Sequence, residues 1–302
     1  MKISIKVPAT SANLGPGFDT LGLALDLRNE TTVTPADGFS VQISGEGADR
    51  LSSGKHNLII RAAQKLADRV DKALPPFHAE CVNRIPLSSG LGSSAVAILT
   101  GLLAGNILLE NPLSENEILD LAAEMDGHAD NVAPALMGGL VVSTLEKKRV
   151  IARQIPVGMD LHITIALPDF YLPTKQARAA LPGKISMKNA IRNISRAVLV
   201  TEAFHRGDLN LLGQAMTDTM HQPYRLKLIP GAKSAMEAAK DAGASAVALS
   251  GAGPSVIAFS SKADTDIGES MKRAFEKVGL DSRVFQLKVS HRGAEVKESR
   301  VP

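Results

Sequence analysis

Residues 86–96, Pro-Leu-Ser-Ser-Gly-Leu-Gly-Ser-Ser-Ala-Val, constrain what this chain can fold into more than any other stretch. Gly90 and Gly92 permit a sharp turn with positive φ and let a ligand approach the backbone closely. The apolar run 98–109 follows, which predicts a helix that begins at the serine pair after Gly92. The first N–H groups and the positive dipole end of such a helix attract phosphate. The stretch therefore predicts a phosphate-binding loop, and the simpler alternative is a helix capped by serine after a glycine turn.

Two widespread nucleotide-binding signatures are missing from the sequence. Lys55 and Lys184 each follow a glycine, but neither precedes the Ser or Thr that a P-loop requires. The sequence also lacks the Gly-x-Gly-x-x-Gly pattern of dinucleotide-binding domains. A nucleotide would therefore be bound by a different kind of loop.

The length of 302 residues is too great for one small core and predicts about two domains. Residues 156–158, Pro-Val-Gly, separate two strand-like runs, and the pattern beyond them becomes mostly helical. We therefore predict one domain over residues 1–156 and a second over residues 157–302. Helical and strand patterns alternate without the regular rhythm of a doubly wound sheet, so the predicted fold class is α+β.

Charge and composition exclude several classes of partner. The net charge is +3, lysine and arginine are scattered, and only eight Phe, two Tyr and no Trp could stack on bases, which argues against nucleic acid. The apolar runs are too short to span a membrane, and the N-terminus lacks the apolar core of a signal peptide. The single cysteine, Cys81, cannot form an internal disulfide, which is typical of a reducing compartment. We expect a soluble cytoplasmic protein with a small anionic ligand.

Local patterns predict several elements around the glycine loop. Residues 2–7 begin with the alternation of a strand, and residues 8–20 interrupt it with glycine and proline, so we expect a loop there. Ser114 and Glu117 have the spacing of a capping box at the start of a helix over residues 114–125. Residues 289–302 are charged and weakly patterned, and we expect them to form a loosely held tail.

Three stretches together resemble the GHMP kinases, a superfamily named after galactose, homoserine, mevalonate and phosphomevalonate. Residues 8–22, 86–96 and 250–259 have the order and spacing of its motifs. The second stretch contains Pro-x-x-x-Gly-Leu-Gly-Ser-Ser-Ala, which is specific to the superfamily. The first stretch is similar to the homoserine kinase family in particular, as are residues 127–134 and 225–230. The resemblance covers nearly the whole chain.

The resemblance implies a two-domain fold, with an N-terminal domain like ribosomal protein S5 domain 2, a C-terminal ferredoxin-like domain and the active site between them. The implied reaction is ATP-dependent phosphorylation of L-homoserine to O-phospho-L-homoserine, a step toward threonine. The alternatives are a GHMP kinase with another small hydroxyl acceptor and a binding module without activity. The expected partner is the small-molecule substrate, with a homodimer left open.

The resemblance also assigns residues to ATP and Mg²⁺. Ser94 and Asp126 match the magnesium ligands, although the family more often has Glu at the position of Asp126, and Glu124 is the alternative ligand. A hydroxyl and a carboxylate suit Mg²⁺, because this ion usually keeps several waters. The implied nucleotide-binding residues are Pro86, Leu87, Ser88, Ser89, Gly90, Leu91, Gly92, Ser93, Ser94, Ala95 and Val96.

An amino acid substrate needs an anion for its ammonium group and cations for its carboxylate. Asn13 and Asp19 match the family's residues around the amino and hydroxyl ends of homoserine. Arg178 and Arg225 match the pair that binds the carboxylate. Arginine suits this role, because its planar fork can pair with both carboxylate oxygens.

His128 and Asn131 match residues that line the substrate pocket. Some related kinases carry Asp where this chain has Asn131, and an amide cannot accept the hydroxyl proton as a carboxylate could. We therefore hypothesise a mechanism without a protein base. Proximity and electrostatic stabilisation would then supply most of the rate.

Overall fold

The computed structural model describes residues 2–299 and contains two β-sheets with helices packed against them. The strands are β1 (Lys2–Ala12), β2 (Leu21–Pro35), β3 (Ser40–Gly45), β4 (Phe77–Asn83), β5 (Leu140–Glu146), β6 (Arg149–Ile155), β7 (His162–Pro168), β8 (Ala246–Leu249), β9 (Val256–Ser260), β10 (Ser282–Lys288) and β11 (Glu295–Ser299). The helices are α1 (Leu58–Arg69), α2 (Ser93–Leu108), α3 (Glu115–Asp126), α4 (Val132–Met137), α5 (Thr174–Ala179), α6 (Met187–Arg206), α7 (Leu209–Ala215), α8 (Gln222–Arg225), α9 (Ala232–Asp241) and α10 (Thr265–Glu276). A 3₁₀ turn, Leu226–Leu228, follows α8.

The first sheet has seven strands, in the order β11-β1-β2-β4-β3, with β5 paired to the other end of β2 and β6 paired to β5. Its pairs are antiparallel except for β3 with β4. The second sheet has four antiparallel strands, in the order β10-β7-β9-β8. The α+β prediction is confirmed.

One large core of buried apolar side chains joins the two sheets. It takes Ile5 from β1, Ile165 from β7 and Ala248 from β8. The neighbouring Val247 of β8 points into a smaller core beneath α9 and α10, because successive strand residues face opposite sides. The domain boundary at residue 156 stays a prediction, since the first sheet also takes its β11 from the end of the chain.

The capping box at the start of α3 is confirmed. The Ser114 N–H donates to Glu117 Oε2 at 2.9 Å, and the Glu117 N–H donates to Ser114 Oγ at 3.4 Å. The helix ends at Gly127, whose φ of 87° turns the chain sharply. Because α3 ends here, Asp126 and the polar residues after it lie beside the glycine loop.

Two local expectations are wrong. The predicted loop over residues 8–20 begins later, because β1 continues to Ala12 and pairs with β2 again after an irregularity between Pro8 and Thr10. The expected tail over residues 289–302 contains β11, in which Val296 lies opposite Ile5 of β1. Residues 300–302 lie outside the described part of the chain. Strand β11 is short and charged, which is typical of a strand at a sheet edge. Its partner β1 is far away in sequence, so the local pattern does not reveal the pairing.

Helix α2 is apolar on all sides and is buried against its neighbours, including α1. The two helices approach closely at two glycines of α2. A Cβ on Gly101 would lie 2.1 Å from the Ile59 carbonyl oxygen, whereas a Cβ on Gly105 would lie no closer than 3.1 Å to any atom outside its own helix. The helix that carries the glycine loop is therefore held at a fixed distance from α1.

We expect Gly101→Ala to lower the free energy of unfolding by about 2 kcal/mol or more, since overpacking outweighs the gain of roughly 1 kcal/mol in helix propensity. Gly105→Ala is the matched control, because it makes the same change in the same helix with more room. Its effect should stay within about 1 kcal/mol. Urea unfolding of both variants measures the difference, and equal losses would contradict the close approach at Gly101.

Candidate active site

The glycine loop lies against β1 and against the turn after β8. Gly92 has a φ of 72° and precedes α2 directly, and no side chain caps that helix. The alternative of a serine-capped helix is therefore wrong. A Cβ on Gly92 would lie 2.1 Å from Thr10 Oγ1, and a Cβ on Gly90 would lie 2.2 Å from the Ser250 carbonyl oxygen. Both positions require glycine, and the uncapped end of α2 faces a cavity.

This cavity has a volume of about 280 Å³ and lies between the glycine loop, the end of β1, α5 and the turn after β8. Residues 88–94 of the loop line it. All of the predicted substrate-binding residues and both predicted magnesium ligands line it as well. These are Asn13, Asp19, His128, Asn131, Arg178, Arg225, Ser94 and Asp126.

A second cavity, of about 360 Å³, adjoins the first, and three serines of the loop line both. Of these two cavities, Leu87 and Val96 line the second and not the first, whereas Pro86 and Ala95 are buried and line neither. The residues that line it include no Asp, Glu, Lys or Arg. Most of its wall comes from positions that no motif marks, including Asn29, Thr31, Ile43, Asn57 and Leu58.

Asp126 is the last residue of α3, and its side chain is 7% exposed. Its Oδ1 accepts a 2.9 Å hydrogen bond from Ser94 Oγ, and its Oδ2 has no hydrogen-bond partner within residues 2–299. Burial raises the pKa of this carboxyl, against the opposing effects of His128 and Ser94. A buried carboxylate oxygen that accepts no hydrogen bond, next to a hydroxyl, fits Mg²⁺. Glu124 does not line the cavity, and its Oε1 lies 3.6 Å from Lys65 Nζ.

His128 forms an ion pair with a carboxylate that the sequence analysis did not assign. Its Nδ1 lies 2.7 Å from Asp130 Oδ1 and 3.5 Å from Asp126 Oδ2. Burial of His128 opposes its charge, but the contact with Asp130 and the fields of Asp126 and Asp19 outweigh burial and raise its pKa to about 9. His128 is therefore an imidazolium at neutral pH and cannot accept a proton there. The available clue was the position of Asp130, two residues after His128 in the 127–134 motif.

Asp19 and Arg178 form a bidentate ion pair at the cavity. Arg178 Nη1 and Nη2 donate to the two carboxylate oxygens of Asp19 at 2.9 and 2.8 Å, and this pairing raises the pKa of Arg178. Asp19 has a φ of 53°, and its N–H donates to Asn13 Oδ1 at 3.0 Å. An interaction with a neighbouring side chain thus holds an uncommon backbone conformation. Both charged groups remain partly exposed, so a ligand can reach them.

Arg225 ends α8 and is only 2% exposed. Its Nη1 donates to the Gly251 carbonyl oxygen at 3.1 Å and to His221 Nδ1 at 3.2 Å, and its Nε has no hydrogen-bond partner in the described part of the chain. Burial lowers the pKa of His221, which is neutral and donates from Nε2 to the Gly15 carbonyl oxygen at 2.7 Å. Burial also lowers the pKa of Arg225, which nevertheless stays charged at neutral pH.

The ring of Phe18 lies beside both arginines. Its centroid is 5.4 Å from Arg178 Cζ and 5.2 Å from Arg225 Cζ, and the His221 ring stacks on it at 5.2 Å. Cation–π attraction therefore helps to hold the two guanidinium groups near each other. The sequence analysis missed Phe18, although it directly precedes Asp19 in the 8–22 motif, and it missed His221, which is a lone histidine outside the motifs.

Asn13 and Asn131 both hold the walls of the cavity together. Asn13 Nδ2 donates to the Gly251 carbonyl oxygen at 2.8 Å. Asn131 Oδ1 accepts a 2.8 Å bond from Thr10 Oγ1, and its Nδ2 donates to Asp130 Oδ1 at 3.3 Å. These bonds orient both amides and join β1 to distant parts of the chain.

Two classes of feature are absent from residues 2–299. No three or more His, Cys, Asp or Glu side chains are grouped to hold a metal ion. A metal at Asp126 would therefore depend on Ser94, on phosphate oxygens and on water for its other ligands. Among the described helices, none is long and apolar enough to cross a membrane.

Comparisons with known proteins agree with this geometry. The models for the GHMP kinases N terminal domain and the GHMP kinases C terminal match residues 57–139 and 200–277. A homoserine kinase of Moorella thermoacetica is 42% identical over 97% of this chain and 99% of its own length. One of Deinococcus radiodurans is 39% identical over 98% of this chain and 97% of its own. The crystal structure of a homoserine kinase from Cytophaga hutchinsonii has a TM-score of 0.87 at 32% identity, and covers 98% of this chain and 97% of its own.

The chain belongs to the homoserine kinase family of GHMP kinases. The two-domain GHMP kinase fold that the resemblance implied is confirmed. A mevalonate kinase of L. major has a TM-score of 0.69 at 17% identity, which shows the shared fold alone. The roles of individual residues in this member of the homoserine kinase family remain proposals.

We expect Asp130→Asn to lower the pKa of His128, because the amide keeps the shape of the carboxylate but removes its charge. NMR titration of the His128 ring without Mg²⁺ measures this pKa, and the other histidine signals serve as the internal control. A folded pKa of about 9, above the reference value of 6.5, means that protonation stabilises the fold at low pH. That contribution is lost as the pH rises from about 6.5 to about 9, and the variant should lose less over this range. An unchanged His128 titration would show that Asp130 does not hold the charge.

Proposed function

We propose that the chain transfers the terminal phosphoryl group of ATP to the hydroxyl of L-homoserine and forms O-phospho-L-homoserine. The observation that carries this proposal is the Asp19–Arg178 ion pair, which lies in the same cavity as the glycine loop. The relatives named homoserine kinase, at 42% and 39% identity over nearly the whole chain, support the same reaction.

The paired charges favour an amino acid over a neutral acceptor. L-Homoserine carries an ammonium group and a carboxylate a short distance apart. When it binds, Asp19 can turn to the ammonium group, and Arg178 can turn to the carboxylate together with Arg225. A zwitterion thus replaces an internal ion pair by two new ones, whereas a neutral acceptor would leave the pair as it is. An acceptor with only one charge would leave one partner uncompensated.

The two adjoining cavities support binding of ATP. The second cavity, whose lining includes no Asp, Glu, Lys or Arg, suits a base and ribose, and the loop between the cavities suits the phosphates. Main-chain N–H groups and the uncapped end of α2 would hold the phosphates. The loop residues that line the first cavity are Ser88, Ser89, Gly90, Leu91, Gly92, Ser93 and Ser94.

We assign Mg²⁺ to Ser94 and Asp126. Asp126 Oδ2, which accepts no hydrogen bond from the described residues, and the neighbouring Ser94 hydroxyl are oxygen donors on two residues that line the cavity. When bound, the ion would neutralise phosphate charge. Glu124 is a poorer candidate, because Lys65 and Lys148 lie beside it.

The charges at the site favour a reaction without a protein base. His128 is protonated at neutral pH, with a pKa of about 9, and Asn131 is an amide. Phosphoryl transfer through a loose transition state depends mainly on alignment and charge neutralisation. We therefore infer that His128, Arg178 and Arg225 contribute positive charge, and that the cavity walls align the acceptor hydroxyl with the phosphate.

We expect Asp126→Asn to lower kcat/KM by roughly 100-fold or more, because the amide removes the anionic ligand and its charge. Binding of Mn²⁺ in the presence of a non-hydrolysable ATP analogue, followed by electron paramagnetic resonance, should weaken in parallel. Glu124→Gln is the control, since it makes the same chemical change two residues away, and it should keep its activity within about twofold. The reverse pattern would transfer the metal to Glu124.

We expect Arg178→Ala to lower kcat/KM for L-homoserine by about 30-fold or more, because the carboxylate loses a charge-assisted pair. Homoserinol, which lacks the carboxylate, should be a poor substrate of the wild type and should lose little further activity in the variant. Lys175→Ala removes a charge from the same short helix, but Lys175 does not line the cavity, so this variant is the control. ADP release on both acceptors is the measurement. Equal losses of kcat/KM on homoserine and homoserinol would show that Arg178 does not bind the carboxylate.

A further inference from the structure

His221 contacts both the loop that carries Asp19 and the guanidinium group of Arg225. Its side chain is fully buried, and it lies outside every stretch that matches a motif. A buried polar ring destabilises a protein unless its nitrogen atoms have hydrogen-bond partners. Both ring nitrogens of His221 have such a partner, and the two partners come from distant parts of the chain.

The contact with Gly15 decides which tautomer His221 adopts. Nε2 lies 2.7 Å from the Gly15 carbonyl oxygen, which can only accept a hydrogen bond, so Nε2 carries the proton. Burial lowers the pKa of the ring and keeps it neutral, against the opposing effect of Asp218, whose Oδ2 lies 3.6 Å from Nε2. In this tautomer Nδ1 has the free lone pair, and it lies 3.2 Å from Arg225 Nη1.

Among the residues that the structure describes, only one nitrogen of the Arg225 guanidinium group has acceptors. Nη1 carries two protons, and it donates to the Gly251 carbonyl oxygen and to His221 Nδ1. Nε and Nη2 donate to none of the described residues. These two nitrogens form one edge of the group, and such an edge can pair with both oxygens of a carboxylate. The two acceptors on Nη1 thus fix the plane of the group and leave its other edge for a ligand.

The ring of His221 is itself held in place on two sides. The Phe18 ring stacks on it, with the centroids 5.2 Å apart and the planes inclined by 25°. The carboxylate of Asp218 accepts hydrogen bonds from the N–H groups of His221 and Gln222 at 2.8 and 2.6 Å, which fixes the backbone at the start of α8. Nδ1 therefore stays directed at Arg225.

We propose that His221 is a positioning residue, which orients the Arg225 guanidinium group for the carboxylate of the substrate. This role rests on the proposed function, in which Arg225 binds the carboxylate of L-homoserine. His221 does not line the cavity, so it acts on the substrate through Arg225. Loss of the ring should weaken the binding of L-homoserine and leave the binding of ATP nearly unchanged.

Nitrogen-15 NMR of the full chain tests the hydrogen-bond pattern without any substrate. The ring signals that are missing from His221→Asn identify His221. In the wild type at neutral pH, Nε2 should have the chemical shift of a protonated ring nitrogen, and Nδ1 that of an unprotonated one. An imidazolium, or a proton on Nδ1, would overturn the proposal, because neither state offers Arg225 an acceptor.

Two variants separate the acceptor on Nδ1 from the bulk of the ring. The side-chain oxygen of His221→Asn can replace Nδ1 as an acceptor, whereas His221→Leu fills similar space and offers none. We expect His221→Leu to raise KM for L-homoserine by about 10-fold or more, because a buried charged donor loses its acceptor. KM for ATP should change by less than about twofold, and His221→Asn should restore most of the loss. His162→Leu makes the same change at the start of β7, away from the cavity, and is the control.

The double variant His221→Leu, Arg225→Ala tests whether His221 acts through Arg225. In a chain that already carries Arg225→Ala, the change at position 221 should alter kcat/KM for L-homoserine by no more than about twofold. Independent losses, or equal increases of both KM values, would show that His221 only supports the fold and would overturn its proposed role. A wild type that does not phosphorylate L-homoserine would contradict the proposed function as well, whereas those losses in an active enzyme contradict the role of His221 alone.

Discussion

The candidate site depends on the close contact of three backbone segments at Ser250. Its hydroxyl donates to the Gly90 carbonyl oxygen at 2.7 Å and lies 2.9 Å from Ser11 Oγ. The next residue, Gly251, donates from its N–H to the Ala12 carbonyl oxygen at 3.1 Å. A side chain at position 90 would push these segments apart, since its Cβ would lie 2.2 Å from the Ser250 oxygen. The cavity, the orientation of α2 and the approach of both sheets follow from this contact.

Anionic and cationic side chains surround that contact in equal numbers. Three carboxylates and three cations line one cavity, and most of them are paired with each other. Bringing such groups out of water is unfavourable, and mutual pairing offsets much of that penalty. The charged groups line the cavity before any ligand arrives, and of the proposed rearrangements only the exchange of partners by Asp19 and Arg178 is needed, which suits a reaction that depends on charge neutralisation. The charged residues are Asp19, Asp126, Asp130, His128, Arg178 and Arg225.

Helix α6 connects two sides of this site. Asn193 binds Pro16, in the loop that carries Asp19, and also binds Thr219, close to the segment that carries Arg225. The buried amide of Asn193 thus links the loop that carries Asp19, at the proposed ammonium site, to the segment that carries Arg225, at the proposed carboxylate site.

The sequence by itself determined the local elements, because their signals lie within a few residues. The capping box of α3, the glycine loop and the start of α2 at Ser93 follow from short patterns. The motif matches also predicted a set of substrate-binding residues, and every member of that set lines the cavity. Only the tertiary structure decided what depends on distant partners. The expected tail forms β11 because it pairs with β1. His128 is charged because Asp130 lies beside it. Arg225 is surrounded by His221 and Phe18, which are distant in sequence from the glycine loop. Strand pairing, burial and electrostatic fields depend on residues that are close in space. A local sequence pattern does not indicate which distant residues the fold brings together.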